Sequence, residues 1–155
     1  MALRVLVLCT GNSARSQIAE ALLAQRGQER IFAASAGVRP AARVSSFAVA
    51  VLRDHGIDWS GHTPSGVDAV EHEKWDAVIT VCDHAKEVCP IFPGAPVQVH
   101  WGMPDPADVA PDDARRAAFR DTYSVLSERI DRMLALPLER MNRDELDAAL
   151  RQLAE

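Results

Sequence analysis

Apolar residues along the chain fall into short continuous runs and into longer stripes with the spacing of a helix face. The runs predict buried strands at 3–8, 32–38, 75–81 and 97–100. The stripes predict helices at 16–25, 46–55, 112–134 and 143–153. Because strands and helices alternate, the crossovers should be right-handed and the strands parallel. We therefore predict an α/β three-layer sandwich in which helices flank a four-stranded parallel sheet.

Length and composition are those of one globular domain. The chain has 155 residues, of which 48% are hydrophobic and 25% charged, a balance that allows a sizeable buried core. We expect that core over about 1–135, followed by a C-terminal helical extension over 136–155. The net charge of −5 and the dispersed basic residues argue against nucleic-acid binding. The apolar run at 3–9 is too short for a signal peptide and no membrane span is visible, so we expect a cytoplasmic protein. We also expect a monomer.

The three cysteines, Cys9, Cys82 and Cys89, are the first candidates for chemistry. An odd number of cysteines cannot all pair within one chain, and the cytoplasm keeps thiols reduced. They are therefore interpreted as reactive or ligand thiols rather than as structural disulfides. Cys9 and Cys82 each follow a predicted strand, at the sheet edge where parallel α/β folds bind ligands.

A tight loop joins the first predicted strand to the first predicted helix. It begins at Cys9, and Arg15 follows six residues later where the helix opens. Backbone amides in such a loop, together with the helix N-terminus, can cradle a tetrahedral oxyanion, and an arginine can clamp two of its oxygens. The predicted oxyanion-binding residues are Thr10, Gly11, Asn12, Ser13, Ala14, Arg15 and Ser16.

Several features of this loop favour a nucleophilic Cys9. The positive end of the helix and a neighbouring cation favour the thiolate form, and the Ser16 hydroxyl can donate to the sulfur. Gly11 permits unusual backbone angles, and Asn12 can brace the loop through its side chain. A cysteine six residues before an arginine is a weak signal by itself. Its combination with a preceding strand, a following helix, Gly11 and Ser16 favours catalysis over a buried spectator thiol.

The segment CTGNSARSQIAE resembles the signature of the low-molecular-weight protein tyrosine phosphatase superfamily, and especially its arsenate reductase branch. The resemblance continues in order and spacing at 35–37, 56–63, 81–82, 89–90, 100–102 and 105–107. It covers the chain from about Arg4 to Leu134 and leaves the tail unaccounted for. It implies a flavodoxin-like sheet with the anion loop between the first strand and the first helix.

The resemblance also implies a general acid at Asp105, which would protonate the departing oxygen. Asp-Pro is an ordinary turn sequence, and Asp108, Asp112 and Asp113 lie close by, so the residues alone leave the acid open. Tyrosine phosphatases of this fold are expected to carry an aromatic residue after Asp-Pro. Ala107 at that position favours a small inorganic oxyanion as substrate.

The second and third thiols separate the reductase from the phosphatase. Hydrolysis of a Cys9 phosphoenzyme needs no further sulfur, and it remains the alternative function. Reduction of arsenate needs two electrons, which two thiols supply when they form a disulfide. The resemblance implies that a Cys9–Cys82 disulfide forms first and a Cys82–Cys89 disulfide second. We expect thioredoxin as the external reductant, with glutaredoxin and glutathione or mycothiol left open.

The spacing between Cys82 and Cys89 predicts a conformational change on oxidation. If 83–88 is helical, the helix rises about 10.5 Å over seven residues. A disulfide needs Cα atoms closer than about 7 Å. Oxidation would therefore unwind the segment and present the disulfide to its reductant.

Metal and cofactor sites are weakly indicated. A zinc site from Cys82, His84, Cys89 and His100 lacks the usual paired spacing, and a metal or arsenite sensor would not need Arg15 or Asp105, so we predict no metal. His62 and His100 are expected to brace loops. Some reductases of the branch bind potassium through an Asn, a Glu, a Ser and an Asp, which correspond here to Asn12, Glu20, Ser35 and Ser65. Because the fourth residue differs, we predict no tightly bound cofactor.

Overall fold

A computed structural model describes residues 2–83, 92, 94 and 97–155 of the chain. The strands are β1 (Leu3–Cys9), β2 (Ile31–Gly37), β3 (Ala77–Thr80) and β4 (Val97–His100). The α-helices are α1 (Arg15–Gly27), α2 (Ser46–Asp54), α3 (Asp112–Leu134) and α4 (Arg143–Leu153). Every predicted element is present, although β3 is three residues shorter than the predicted strand at 75–81 and α1 is three residues longer than the predicted helix at 16–25. No helix in this part of the chain is long and apolar enough to cross a membrane.

The four strands form one parallel sheet in the order β2-β1-β3-β4, which confirms the predicted fold class. Leu8 near the end of β1 is paired with Ala36 on one side and with Thr80 on the other. From β1 the chain first crosses to β2 at one edge and later returns to β3 on the opposite side. The carboxyl ends of β1 and β3 therefore flank the crevice in which open α/β sheets bind ligands.

The two faces of the sheet pack against different partners. Val5 and Val7 of β1 lie in a core shared with buried residues of all four α-helices. Leu6 and Leu8 point to the other face, where a smaller cluster contains Val70, Trp75 and Phe92. Because both faces of β1 are covered, this strand is continuously apolar from Val5 to Cys9 rather than alternating.

The C-terminal extension packs on this same domain. Helix α4 begins with a capping box in which the Asn142 and Glu145 side chains each bond to the other residue's backbone amide. Trp101, just after β4, donates its indole N–H to the Leu150 carbonyl at 2.9 Å, and Arg151 donates to the Gln98 carbonyl at 3.1 Å. The apolar face of α4 is thus covered by the sheet edge and by α3 rather than left for a partner.

Leu150 provides a test of how much the extension contributes to stability. Its side chain is fully buried, so Leu150→Ala should lower the free energy of unfolding by about 2–5 kcal/mol. The control is Val125→Ala, because Val125 is 40% exposed on α3 and its truncation should change stability by less than about 0.5 kcal/mol. Urea denaturation of both variants measures the difference. Equal midpoints would show that the extension is not part of the cooperative fold.

Candidate active site

Cys9 is the last residue of β1 and lies buried at the start of the predicted anion loop. Its Sγ atom lies 3.0 Å from the Ser16 hydroxyl and accepts a hydrogen bond from the Asn12 backbone amide at 3.2 Å. Helix α1 begins at Arg15 and has no acidic residue in its first turn. Two polar contacts and the N-terminal end of a helix therefore surround the sulfur.

The carbonyl groups of the loop are bound from outside by the segment that follows β2. Backbone amides of that segment donate to four loop carbonyls, in the pairs Val38 to Cys9, Arg39 to Thr10, Ala41 to Gly11 and Ser45 to Ser13. The distances are 3.4, 2.9, 2.9 and 2.8 Å in the same order. Because these carbonyls are held on the outer side, the loop amides are left to line the anion cradle.

The Asn12 side chain braces the loop through hydrogen bonds, as predicted from the sequence. It is fully buried and adopts a left-handed backbone with φ of 54°. Its side-chain oxygen accepts from the Ser65 amide, and its side-chain nitrogen donates to the hydroxyls of Ser16 and Ser35. A left-handed conformation costs energy in a non-glycine residue, so these bonds stabilise a strained loop.

Two residues of this network were missed by the sequence analysis. Gln17 donates through Nε2 to both the backbone and the side-chain oxygen of Asn12, each at 3.0 Å. Trp59 donates its indole N–H to the Gln17 side-chain oxygen at 2.8 Å, and its ring stacks on His62 with 3.5 Å between centroids. The sequence did contain a signal for Gln17, because it adjoins the apolar stripe of the first helix and a buried amide side chain needs hydrogen-bond partners.

Glu20, one helical turn beyond Ser16, accepts a hydrogen bond from the Ser35 hydroxyl at 2.6 Å. Burial raises the pKa of Glu20, while the Ser35 hydrogen bond and the charge of His62 act in the opposite direction. The residues that correspond to the potassium site of the resembling reductases, Asn12, Glu20, Ser35 and Ser65, are therefore close together in the fold.

Arg15 and Asp105 lie side by side. The Arg15 guanidinium donates to the Met103 carbonyl at 3.1 Å and approaches Asp105 Oδ2 at 3.5 Å, while its side chain is only 3% exposed. The other Asp105 oxygen accepts from the Ala107 amide at 3.0 Å. The neighbouring carboxylates of Asp112 and Asp113 instead pair with Arg115 and Arg116 in α3. The proposed acid thus stands beside the proposed clamp.

Cys82 lies two residues beyond the end of β3, the strand that pairs with β1. The Val81 amide donates to the Leu8 carbonyl at 3.0 Å, so the chain after β3 continues alongside the end of β1. The Cys82 side chain is fully buried at this edge. The described residues do not include 84–91, which contain His84 and Cys89. The predicted helix at 83–88 and its unwinding on oxidation therefore remain predictions.

His100 joins two strands at the same edge, with its Nδ1 atom 2.7 Å from the Thr80 hydroxyl. That contact is consistent with the predicted bracing function. Within 2–83, 92, 94 and 97–155, no three acidic, histidine or cysteine side chains are grouped as metal ligands would be. Two of the four residues in the rival zinc set, His84 and Cys89, fall outside those ranges.

Gly37 provides a test of the loop geometry. A Cβ atom there would lie 2.6 Å from the Thr10 carbonyl oxygen and 3.0 Å from the Asn12 amide nitrogen, both backbone atoms of the anion loop. Gly37→Ala should therefore displace the loop and weaken phosphate binding by about tenfold or more, a change of only about 1.4 kcal/mol. Phosphate protection of Cys9 against iodoacetamide measures this affinity.

Gly66→Ala is the matched control for that experiment. Gly66 forms a bridge with Gly37, but a Cβ atom there would meet only the Pro40 side chain, at 3.6 Å. Its phosphate affinity should remain that of the wild type. Equal affinities in all three proteins would show that the loop does not form the anion site.

Known proteins match this chain in sequence over most of its length. A family model described as low molecular weight phosphotyrosine protein phosphatase matches residues 4–147. The match continues past Leu134 into α4, so the limit placed at Leu134 by the sequence resemblance was too short. A protein named arsenate reductase from Halalkalibacterium halodurans is 39% identical over 124 residues, which cover 79% of this chain and 88% of that protein.

Solved structures show the same fold. One described as an arsenate reductase in the phosphate binding state has a TM-score of 0.72 and 28% identity, covering 86% of this chain and 97% of its own. A thioredoxin-dependent arsenate reductase from Corynebacterium glutamicum has a TM-score of 0.62 and 26% identity, over 84% of this chain and 59% of its own. From its sequence match and its fold, this chain belongs to the low-molecular-weight phosphotyrosine protein phosphatase family.

Proposed function

We propose that this chain reduces arsenate to arsenite. The relatives named arsenate reductase support that substrate, and the phosphate-binding state of one of them supports a tetrahedral oxyanion in the loop. The observation that carries the proposal is the buried Cys82 thiol just after β3, the strand that pairs with β1, since a hydrolase has no use for a second sulfur there. The small exposed Ala107 beside Asp105 also suits an inorganic ion better than an aryl ester.

In the first step, arsenate binds to the amides of the loop from Thr10 to Ser16 and to the Arg15 guanidinium. The Cys9 thiolate attacks arsenic and forms a sulfur–arsenic bond. One arsenic–oxygen bond breaks, and the departing oxygen leaves as water after Asp105 supplies a proton. Arsenic is still pentavalent at this stage.

In the second step, the Cys82 thiolate attacks the Cys9 sulfur. A disulfide forms, the sulfur–arsenic bond breaks, and its electron pair remains on arsenic, which leaves as trivalent arsenite. Cys89 then attacks Cys82, so that the Cys82–Cys89 disulfide forms and the Cys9 thiolate is released. Two thiols have thus been oxidised for each arsenate reduced.

An external thiol reductant must reduce the second disulfide, and we assign that reaction to thioredoxin. The Corynebacterium glutamicum neighbour, which is named as thioredoxin-dependent, supports this choice. Glutaredoxin with glutathione, or mycothiol, would supply the same two electrons. The proposal places the reaction in the cytoplasm, where these reductants keep thiols reduced.

The test is arsenate-dependent NADPH consumption in the presence of thioredoxin and thioredoxin reductase. Wild type should turn over repeatedly, whereas Cys89→Ser should stop after a single turnover with a Cys9–Cys82 disulfide that mass spectrometry detects. Asp105→Asn should lower the rate by about 10²- to 10⁴-fold because it removes the proton donor. Asp108→Asn, on the same short turn, is the matched control and should retain activity.

The rival functions give different results. A phosphatase would hydrolyse para-nitrophenyl phosphate, remain inert to arsenate and be insensitive to Cys89→Ser. A binding module would be inert to both substrates and would retain zinc tightly. Either result would overturn the proposal.

A further inference from the structure

We infer that Glu20 is a positioning residue for the Cys9 loop, acting through Ser35 and Asn12, and that hydrogen bonds brace this loop without a bound potassium ion. The inference rests on the proposed function only for the chemistry that the loop serves. The Asn12 side chain forms the hydrogen bonds that connect Glu20 to this loop.

The orientation of the Asn12 amide is determined by its neighbours. The Ser65 backbone N–H, which can only donate, lies 2.8 Å from Asn12 Oδ1. Gln17 confirms the assignment, because the Trp59 indole N–H also can only donate and must face the Gln17 oxygen. The Gln17 NH₂ group is thereby turned toward the same Asn12 oxygen, at 3.0 Å.

The Asn12 nitrogen then has two hydrogens, and both are used. One is donated to Ser16 Oγ and the other to Ser35 Oγ, each at 2.8 Å. Each hydroxyl can pass its own hydrogen onward, Ser16 to the Cys9 sulfur at 3.0 Å and Ser35 to the Glu20 carboxylate at 2.6 Å. One buried amide thus links the nucleophile to Glu20.

Glu20 is the final acceptor of this path. A carboxylate can only accept, so it holds the Ser35 hydrogen and leaves the Ser35 lone pairs for Asn12. A charged acceptor also makes the stronger hydrogen bond, and bonds in a chain polarise one another. Glu20 therefore helps to keep Asn12 in its left-handed conformation without touching the substrate.

The same contacts argue against a tightly held potassium ion. Both lone pairs of Asn12 Oδ1 already accept hydrogen bonds, from Ser65 and from Gln17. At position 65 the side chain is a hydroxyl rather than a carboxylate, which leaves Glu20 as the anionic member of the four-residue set. A cation would have to displace hydrogen bonds that the fold already makes, so the residues present do not fit it.

The experiment uses a Cys82→Ser, Cys89→Ser background, in which Cys9 is the single remaining cysteine. Phosphate protection of Cys9 against iodoacetamide and the pH profile of alkylation are measured. Glu20→Ala and Ser35→Ala should each weaken protection by about tenfold, a change of only about 1.4 kcal/mol. Because the two residues act on one path, the double variant should lose little more than either single variant.

Three further variants separate positioning from a general loss of structure. Ser35→Thr keeps the hydroxyl and should restore protection to within about twofold of the parent. Glu20→Gln keeps the shape and an acceptor oxygen, so it should fold and show an intermediate loss. Glu29→Ala removes an exposed carboxylate just beyond α1 and should behave as the parent. Parent-like protection in Glu20→Ala, or additive losses in the double variant, would overturn the inference.

The cation is tested with potassium, sodium and choline chlorides at equal ionic strength. Protection and the unfolding midpoint should be the same in potassium and sodium. A potassium-specific gain that disappears in Glu20→Ala would show a cation site and overturn the inference. Since alkylation involves no arsenate reduction, its outcome is independent of whether the chain proves to be a reductase.

Discussion

The structure of the candidate site depends on how the carbonyl groups of one loop are bound. A loop that is to hold an oxyanion must turn its amides inward, and this is stable only if its carbonyls find donors outside. The segment 38–45 supplies four such donors along residues 9–13. Gly37 allows the two segments to approach, because a side chain there would overlap the loop backbone. Cys9, Arg15 and the α1 N-terminus are positioned by this pairing.

Sheet topology adds the second requirement of the proposed chemistry. Since β1 pairs with both β2 and β3, the last residue of β1 and the chain after β3 lie at neighbouring positions. Cys9 and Cys82 therefore reach the same edge although they are 73 positions apart in the chain. Arg15 also belongs to this edge, because its guanidinium reaches the carbonyls of Val81 and Met103. The predicted anion loop and a second thiol thus lie at one edge of the sheet.

Most of the fold was predictable because its signals are local. Continuous apolar runs and helical stripes depend on neighbours a few residues apart, and they predicted all eight strands and α-helices that the structure describes. The motif that begins at Cys9 also lies within one strand–loop–helix unit. Trp59 was missed because its hydrogen bond to Gln17 spans 42 positions, which no local pattern encodes. Gln17 lies only five positions from Asn12, but its bonds to that residue depend on the folded shape of the loop.

The amino-acid order was enough to infer the succession of strands and helices, the family resemblance and the reactive residue types, because periodicity and short motifs are properties of adjacent positions. Folding determined that Asp105, rather than Asp112 or Asp113, lies beside Arg15. It also decided that the tail packs on β4 and that Glu20 connects to Cys9 through Asn12. These contacts join segments that are distant in the chain, so they form only when folding brings the hydrogen-bonding groups together.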